Sequence, residues 1–74
     1  MEEFKMYIEG LNGKGAPETV SGWGVEDAVE RFVERNWLAL RYPSEVAVVV
    51  LLSTSYSRYL VKVTTHPRFD AIRL

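Results

Sequence analysis

Apolar and polar side chains alternate along the first segment, residues 3–9. Phe4, Met6 and Ile8 share one parity, and Tyr7 lies on the polar side. This alternation is typical of a strand with one buried face. Asn12-Gly13 is a strong hairpin signal and predicts a return strand over residues 18–23. A two-residue turn there would point Val20 away from the core, so a longer loop or a bulge is expected, and the register stays open.

Residues 25–40 carry the clearest pattern, an apolar stripe at helical spacing with charged side chains opposite it. The stripe comprises Val25, Ala28, Val29, Phe32, Val33 and Leu40. Gly24 can serve as the N-cap, and Asp27 and Arg31 form a favourable i,i+4 pair. Pro43 forbids continuation, so the helix is expected to end between Asn36 and Arg41.

Residues 45–52 are apolar and β-branched at both parities, which predicts a strand covered on both faces. A polar turn at 53–57 and a fourth strand at 59–64 follow, with Tyr59, Val61 and Val63 on one side. Residues 69–74 are either a fifth, edge strand or a frayed end. The order β-β-α-β-β predicts a single α+β domain over residues 1–74, with one helix across one face of an antiparallel sheet of four strands, or five with the tail.

One helix covers one face of such a sheet, so the apolar residues on its other face need a second explanation. An exposed apolar patch of this kind marks an interface. The residues predicted for a partner-binding face are Tyr7, Trp23, Ala47, Val49, Leu51 and Leu60. Another protein, a second copy in a homodimer, or the C-terminal tail with Phe69 and Ile72 would each cover that face, and the sequence leaves these alternatives open.

Composition narrows the class of protein. The chain has 74 residues, 47% of them hydrophobic, and no cysteine, which excludes disulfides, thiolate zinc sites and cysteine nucleophiles. The N-terminus opens acidic, without a signal peptide, and the longest apolar run, residues 46–52, is too short to span a membrane. We therefore expect a soluble, cytoplasmic domain with no membrane partner.

No group of residues predicts catalysis. His66 is the only histidine and lacks a carboxylate cluster, and Ser53, Ser55 and Ser57 are typical of a turn. The glycine-rich segment 10–15 does not have the spacing of a phosphate-binding loop. We predict that the protein is not an enzyme and has no catalytic residue, cofactor or metal ion.

Charge suggests an alternative function. Residues 1–40 carry eight acids and four bases, whereas residues 41–74 carry two acids and five bases. Arg58, Lys62 and Arg68 are interleaved with aromatic residues, as in single-stranded nucleic-acid binders. They form a candidate basic contact face for nucleic acid or an acidic partner. The net charge of −1 favours a protein partner instead, because dedicated nucleic-acid binders are strongly basic.

The segment 20–32, VSGWGVEDAVERF, resembles a pattern in short phage and mobile-element proteins. In those proteins a strand pair precedes a helix start of the form small residue, x, Glu-Asp-Ala. The resemblance extends to β-β-α-β-β accessory proteins, including anti-CRISPR inhibitors of this size. It implies a protein of the host cytoplasm that binds and inhibits a host complex such as a CRISPR defence system. Gly24 stands where Ser or Thr is usual, and no functional residue carries over.

Overall fold

The computed structural model describes residues 1–9, 17–64 and 68–74. Its elements are β1 (Glu2–Ile8), β2 (Glu18–Gly22), α1 (Val25–Asn36), β3 (Glu45–Leu51), β4 (Tyr56–Val63) and β5 (Phe69–Arg73). The strands form one antiparallel sheet in the order β2-β1-β3-β4-β5. The predicted α+β fold is confirmed, and the tail is its fifth strand.

The first hairpin has a register that brings Val20 into the core. Met6 pairs with Glu18, and Phe4 pairs with Val20. Cross-strand partners share a face, so Val20 points with Phe4 and Met6 towards the helix. The register differs by one residue from that of a two-residue turn at Asn12-Gly13. The connecting segment 10–16, which includes that dipeptide, lies outside the described residues.

The helix begins at Gly24, whose extended backbone suits an N-cap but supplies no side-chain acceptor. The Asp27 carboxylate compensates: its Oδ2 accepts the backbone N–H of Trp23 at 2.9 Å and the Arg31 Nε–H at 2.9 Å. An anion in the first turn also interacts favourably with the helix dipole. The helix ends at Asn36, within the expected range.

The hydrophobic core fills the space between α1 and one face of the sheet. Its fully buried large side chains are Met6, Val29, Val33, Val48, Val50 and Val61. Each is worth roughly 1.5–3 kcal/mol of transfer free energy. Tyr59 is 3% exposed, as its parity predicted. Within the described residues, no buried side-chain nitrogen or oxygen lacks a hydrogen-bond partner.

Polar side chains of the helix contact both edge strands. Glu30 Oε2 accepts the backbone N–H of Ala71 on β5 at 2.9 Å, and Arg35 Nη2 lies 2.8 Å from Glu18 Oε2 on β2. An unpaired N–H on an edge strand is a template for adding a foreign strand. The Glu30 carboxylate therefore blocks β5 at the middle of its outer edge.

The chain leaves the helix through a strained turn. Arg41 and Tyr42 have φ values of 65° and 57°, in the left-handed region that non-glycine residues rarely adopt. Trp37 holds the turn in place: its Nε1–H donates to the Pro43 carbonyl at 3.0 Å. Its ring also packs edge-on against Tyr42 and Phe69, at centroid distances of 4.9 and 5.5 Å. The side chain of Tyr42 is 59% exposed despite this contact.

Candidate protein-binding face

The sheet face opposite α1 carries an apolar band, which we call the apolar belt. Strand alternation and register place eight residues in it: Tyr7, Ala47, Val49, Leu51, Tyr56, Leu60, Ile72 and Leu74. The belt crosses four strands in three successive rows of cross-strand neighbours. It arises because both faces of β3 carry apolar side chains. Those that alternate with its core residues therefore form an apolar surface on the outer face of the sheet.

The rows follow directly from the strand pairings. In the first row, Leu51 lies between Lys5 and Tyr56. In the second, Val49 lies between Tyr7 and Arg58. In the third, Leu60 lies between Ala47 and Ile72.

Much of the belt is open to solvent. Leu51 is 37% exposed, Ile72 46%, Leu74 61% and Tyr56 64%. No described residue lies over these side chains as a second layer, because β5 extends the sheet sideways beside β4. The hypothesis that the tail covers this face is therefore wrong for the described residues. Phe69 points to the helix side and packs with Trp37, and Ile72 adds to the belt.

Val49 is the one buried residue of the belt, at 4% exposure, and it lies between Tyr7 and Arg58 beside an ion pair. Arg58 Nε and Nη2 donate to Glu9 Oε2 and Oε1 at 2.9 and 3.1 Å. The two residues flank β3 from opposite sides, so the pair crosses over that strand beside Val49. The hydrogen bond to Glu9 raises the pKa of Arg58, with a smaller contribution from the Glu9 charge. Arg58 is thus a fixed cation within the apolar belt.

Charged side chains border the belt at both ends. At one end, Lys62 pairs in register with Glu45 on one side and Asp70 on the other. Arg68 Nε lies 3.2 Å from Asp70 Oδ1 at the same end. Lys5 and Glu3, on β1, lie at the opposite end. Apart from the Arg58–Glu9 pair, the belt has an apolar centre and a charged rim, which is the usual anatomy of a protein–protein interface.

Five of the six residues predicted for the partner-binding face share this surface. They are Tyr7, Ala47, Val49, Leu51 and Leu60. Trp23 does not join them: it follows the end of edge strand β2, beyond the Glu2–Gly22 pair, and is 70% exposed. Ile72 and Leu74 were missed as belt residues, although the alternation of Asp70, Ile72 and Leu74 is readable once residues 69–74 are taken as a strand.

The candidate basic contact face is largely neutralised by acids. Arg58 is paired with Glu9 and Arg68 with Asp70. Lys62 lies between Glu45 and Asp70 in the cross-strand register. The three bases do share the face opposite the helix, but they lie among acids. The resulting surface has mixed charge and no dominant positive potential.

Metal-ligating side chains do not cluster in the described part of the chain. Residues 1–9, 17–64 and 68–74 contain no group of three or more His, Asp or Glu placed to hold a metal ion. His66 lies outside the described residues. A polar cleft between β2, α1 and Phe69 is lined by charged helix residues, of which Asp27, Arg31 and Arg35 are engaged in ion pairs.

Comparisons with protein-family models, with curated proteins and with solved structures find no match. In the described residues, no helix is long and apolar enough to cross a membrane, and α1 has only 12 residues. The apolar belt is therefore the feature of the described residues that points to a function.

Proposed function

We propose that this domain acts by binding a protein surface through its apolar belt and catalyses no reaction. The observation that carries the proposal is the exposure of four large apolar residues on a sheet face that no described segment covers. They are Leu51, Tyr56, Ile72 and Leu74. Full burial of such a side chain is worth roughly 1.5–3 kcal/mol. Burying what remains exposed of all four would provide several kcal/mol for association.

The arrangement of the belt also favours a protein partner over a small molecule. Small-molecule sites are concave and enclose most of the ligand. The belt lies instead on one open face of a sheet, with charged residues at both ends and the Arg58–Glu9 ion pair across its middle. A partner with a matching apolar surface would desolvate Leu51 and Ile72 while leaving the border charges at the rim.

Leu51→Glu tests the proposal, with Leu38→Glu as the matched control. Leu38 lies in the turn after α1 and is 69% exposed, so its substitution places an equal charge on a different surface. Both variants should fold with the wild-type CD spectrum, because neither leucine belongs to the fully buried core. Val49→Glu is unsuitable, since Val49 is only 4% exposed and a carboxylate there would destabilise the fold.

The readout is capture of binding proteins from the native host, identified by mass spectrometry. The wild type and Leu38→Glu should retain the same partner, and Leu51→Glu should lose it. Equal capture by a folded Leu51→Glu variant would contradict the proposal.

Nucleic-acid binding remains a prediction with less support, because Arg58 and Arg68 already pair with Glu9 and Asp70. Titration with single-stranded oligonucleotides at low salt tests it, since phosphate contacts are strongest there. The inhibitor role implied by the resemblance of residues 20–32 to phage accessory proteins also stays a prediction. Identification of the captured partner would test that role directly.

A further inference from the structure

We infer that the occupant of the apolar belt is a second copy of this chain, packed face to face about a two-fold axis that runs along the sheet between β3 and β4. The inference rests on the proposed function of the belt and adds the identity of the partner. Three properties of the face support it: its charge balance, its register and its area.

The charge balance of the face allows it to meet itself. The side chains placed opposite α1 include four acids and four bases: Glu3, Glu9, Glu45, Asp70, Lys5, Arg58, Lys62 and Arg68. Potentials at an interface are complementary, so a face dominated by one sign selects a partner of the other. A face with balanced charge creates no net repulsion against its own copy.

The register makes the contacts complementary as well. The axis runs parallel to β3 and β4, midway between them. It places each β3 residue of one copy opposite the residue of the other copy that pairs with it on β4. Glu45 pairs with Lys62 within the chain, so the axis sets Glu45 of each copy opposite Lys62 of the other. The same axis brings Ala47, a small residue, opposite Leu60, a large one. The strands of the two sheets would run within about 30° of each other, the usual angle of an aligned sandwich.

The face is large enough for a stable dimer interface. The principal extents of the molecule are 36 × 27 × 20 Å. The shortest extent corresponds to the thickness of the helix layer stacked on the sheet layer. The two longer extents therefore give the dimensions of the sheet face. Their ellipse has a projected area of roughly 800 Å², comparable to the surface that each partner buries in a standard protein interface. The face is therefore large enough for a second copy to cover the belt.

The test measures the mass of the purified protein by sedimentation equilibrium from low micromolar to millimolar concentration. The wild type should be a dimer that dissociates on dilution, and Leu51→Glu should be monomeric while Leu38→Glu dimerises normally. Glu45→Lys and Lys62→Glu should each weaken the dimer about tenfold, because each sets like charges against each other at two symmetric contacts.

Mixing Glu45→Lys with Lys62→Glu distinguishes charge contacts between two copies from charge contacts within a single chain. In the mixture, a face with two lysines meets a face with two glutamates, so heterodimers should form with nearly the wild-type dissociation constant. A mixture no tighter than the separate variants would overturn the proposed axis. A dimer that Leu51→Glu leaves intact uses another surface and would overturn the inference.

A wild type that is monomeric at every concentration would also overturn it. In that case the capture experiment decides the proposed function separately. If Leu51→Glu abolishes capture of a foreign protein, the belt is a binding face with a different occupant. If capture is unaffected as well, both ideas fail.

Discussion

Gly22→Ala is expected to destabilise the domain because the end of β2 lies directly against the first turns of α1. A Cβ at Gly22 would lie 2.7 Å from the backbone nitrogen of Ala28, 2.8 Å from its Cα and 2.9 Å from its Cβ. These are distances that real Cβ atoms essentially never show. Two of the three atoms belong to the helix backbone and cannot rotate away, so β2 and α1 would have to separate.

The expected loss is about 2–3 kcal/mol, the upper part of the range for overpacking a well-packed core. For a domain of this size, 1 kcal/mol corresponds to roughly 4–8 °C in Tm. The variant should therefore unfold roughly 10–20 °C below the wild type. Since total stabilities are only about 5–15 kcal/mol, this is a substantial part of the whole.

Gly24→Ala provides the control, because a Cβ at Gly24 meets no atom within 4 Å. Its backbone is extended, so alanine fits without strain. Urea unfolding followed by far-UV CD should show a clear fall in the midpoint for Gly22→Ala and a change within about 1 kcal/mol for Gly24→Ala. Equal losses in the two variants would refute the argument, because both remove a glycine and only one creates the clash.

Two further predictions concern the strained turn and the protected edge. Arg41→Gly should raise the free energy of unfolding by about 0.5–1 kcal/mol. The left-handed φ of 65° costs a non-glycine residue about 1–2 kcal/mol, and the greater conformational entropy that glycine loses on folding cancels only part of this gain. A lower Tm for that variant would contradict this reasoning. Glu30→Ala should cost about 1 kcal/mol and speed hydrogen exchange at the Ala71 amide, whereas Glu30→Gln should keep most of the protection because it keeps the acceptor. Unchanged exchange in Glu30→Ala would show that the carboxylate does not protect the edge.

Local patterns were sufficient to predict most of the fold. Period-two alternation in residues 3–9 and the helical stripe from Val25 predicted β1 and α1 closely. The register of the first hairpin was not predictable, because it depends on the connection and on the need to bury Val20. The polar residues at 53–57 predict a turn, yet Tyr56 and Ser57 begin β4, since pairing of Tyr56 with Leu51 extends the sheet.

The candidate site was predictable only in part, because some of its contacts join residues that are far apart in the sequence. Parity within β3 was enough to place Ala47, Val49 and Leu51 on the outer face. The burial of Val49 was not foreseeable, because its cross-strand neighbours Tyr7 and Arg58 lie far from each other along the chain, as do Arg58 and Glu9, which pair across 49 residues. Trp23 lies outside the belt because β2 ends at Gly22 and Gly24 is already the helix cap, so strand alternation no longer fixes the direction of residue 23.

The strand order also indicates how the domain folds. Three of the four strand pairings in the sheet join strands that are neighbours along the chain, and these can form as local units. The pairing of β1 with β3 is different, because β2 and α1 lie between them in sequence. Closing that long connection costs entropy before any contact repays it. The docking of one two-stranded unit and its helix onto a three-stranded unit is thus the expected rate-limiting event, and the β1–β3 seam, which passes beneath the Arg58–Glu9 pair, is where the two halves of the chain become one domain.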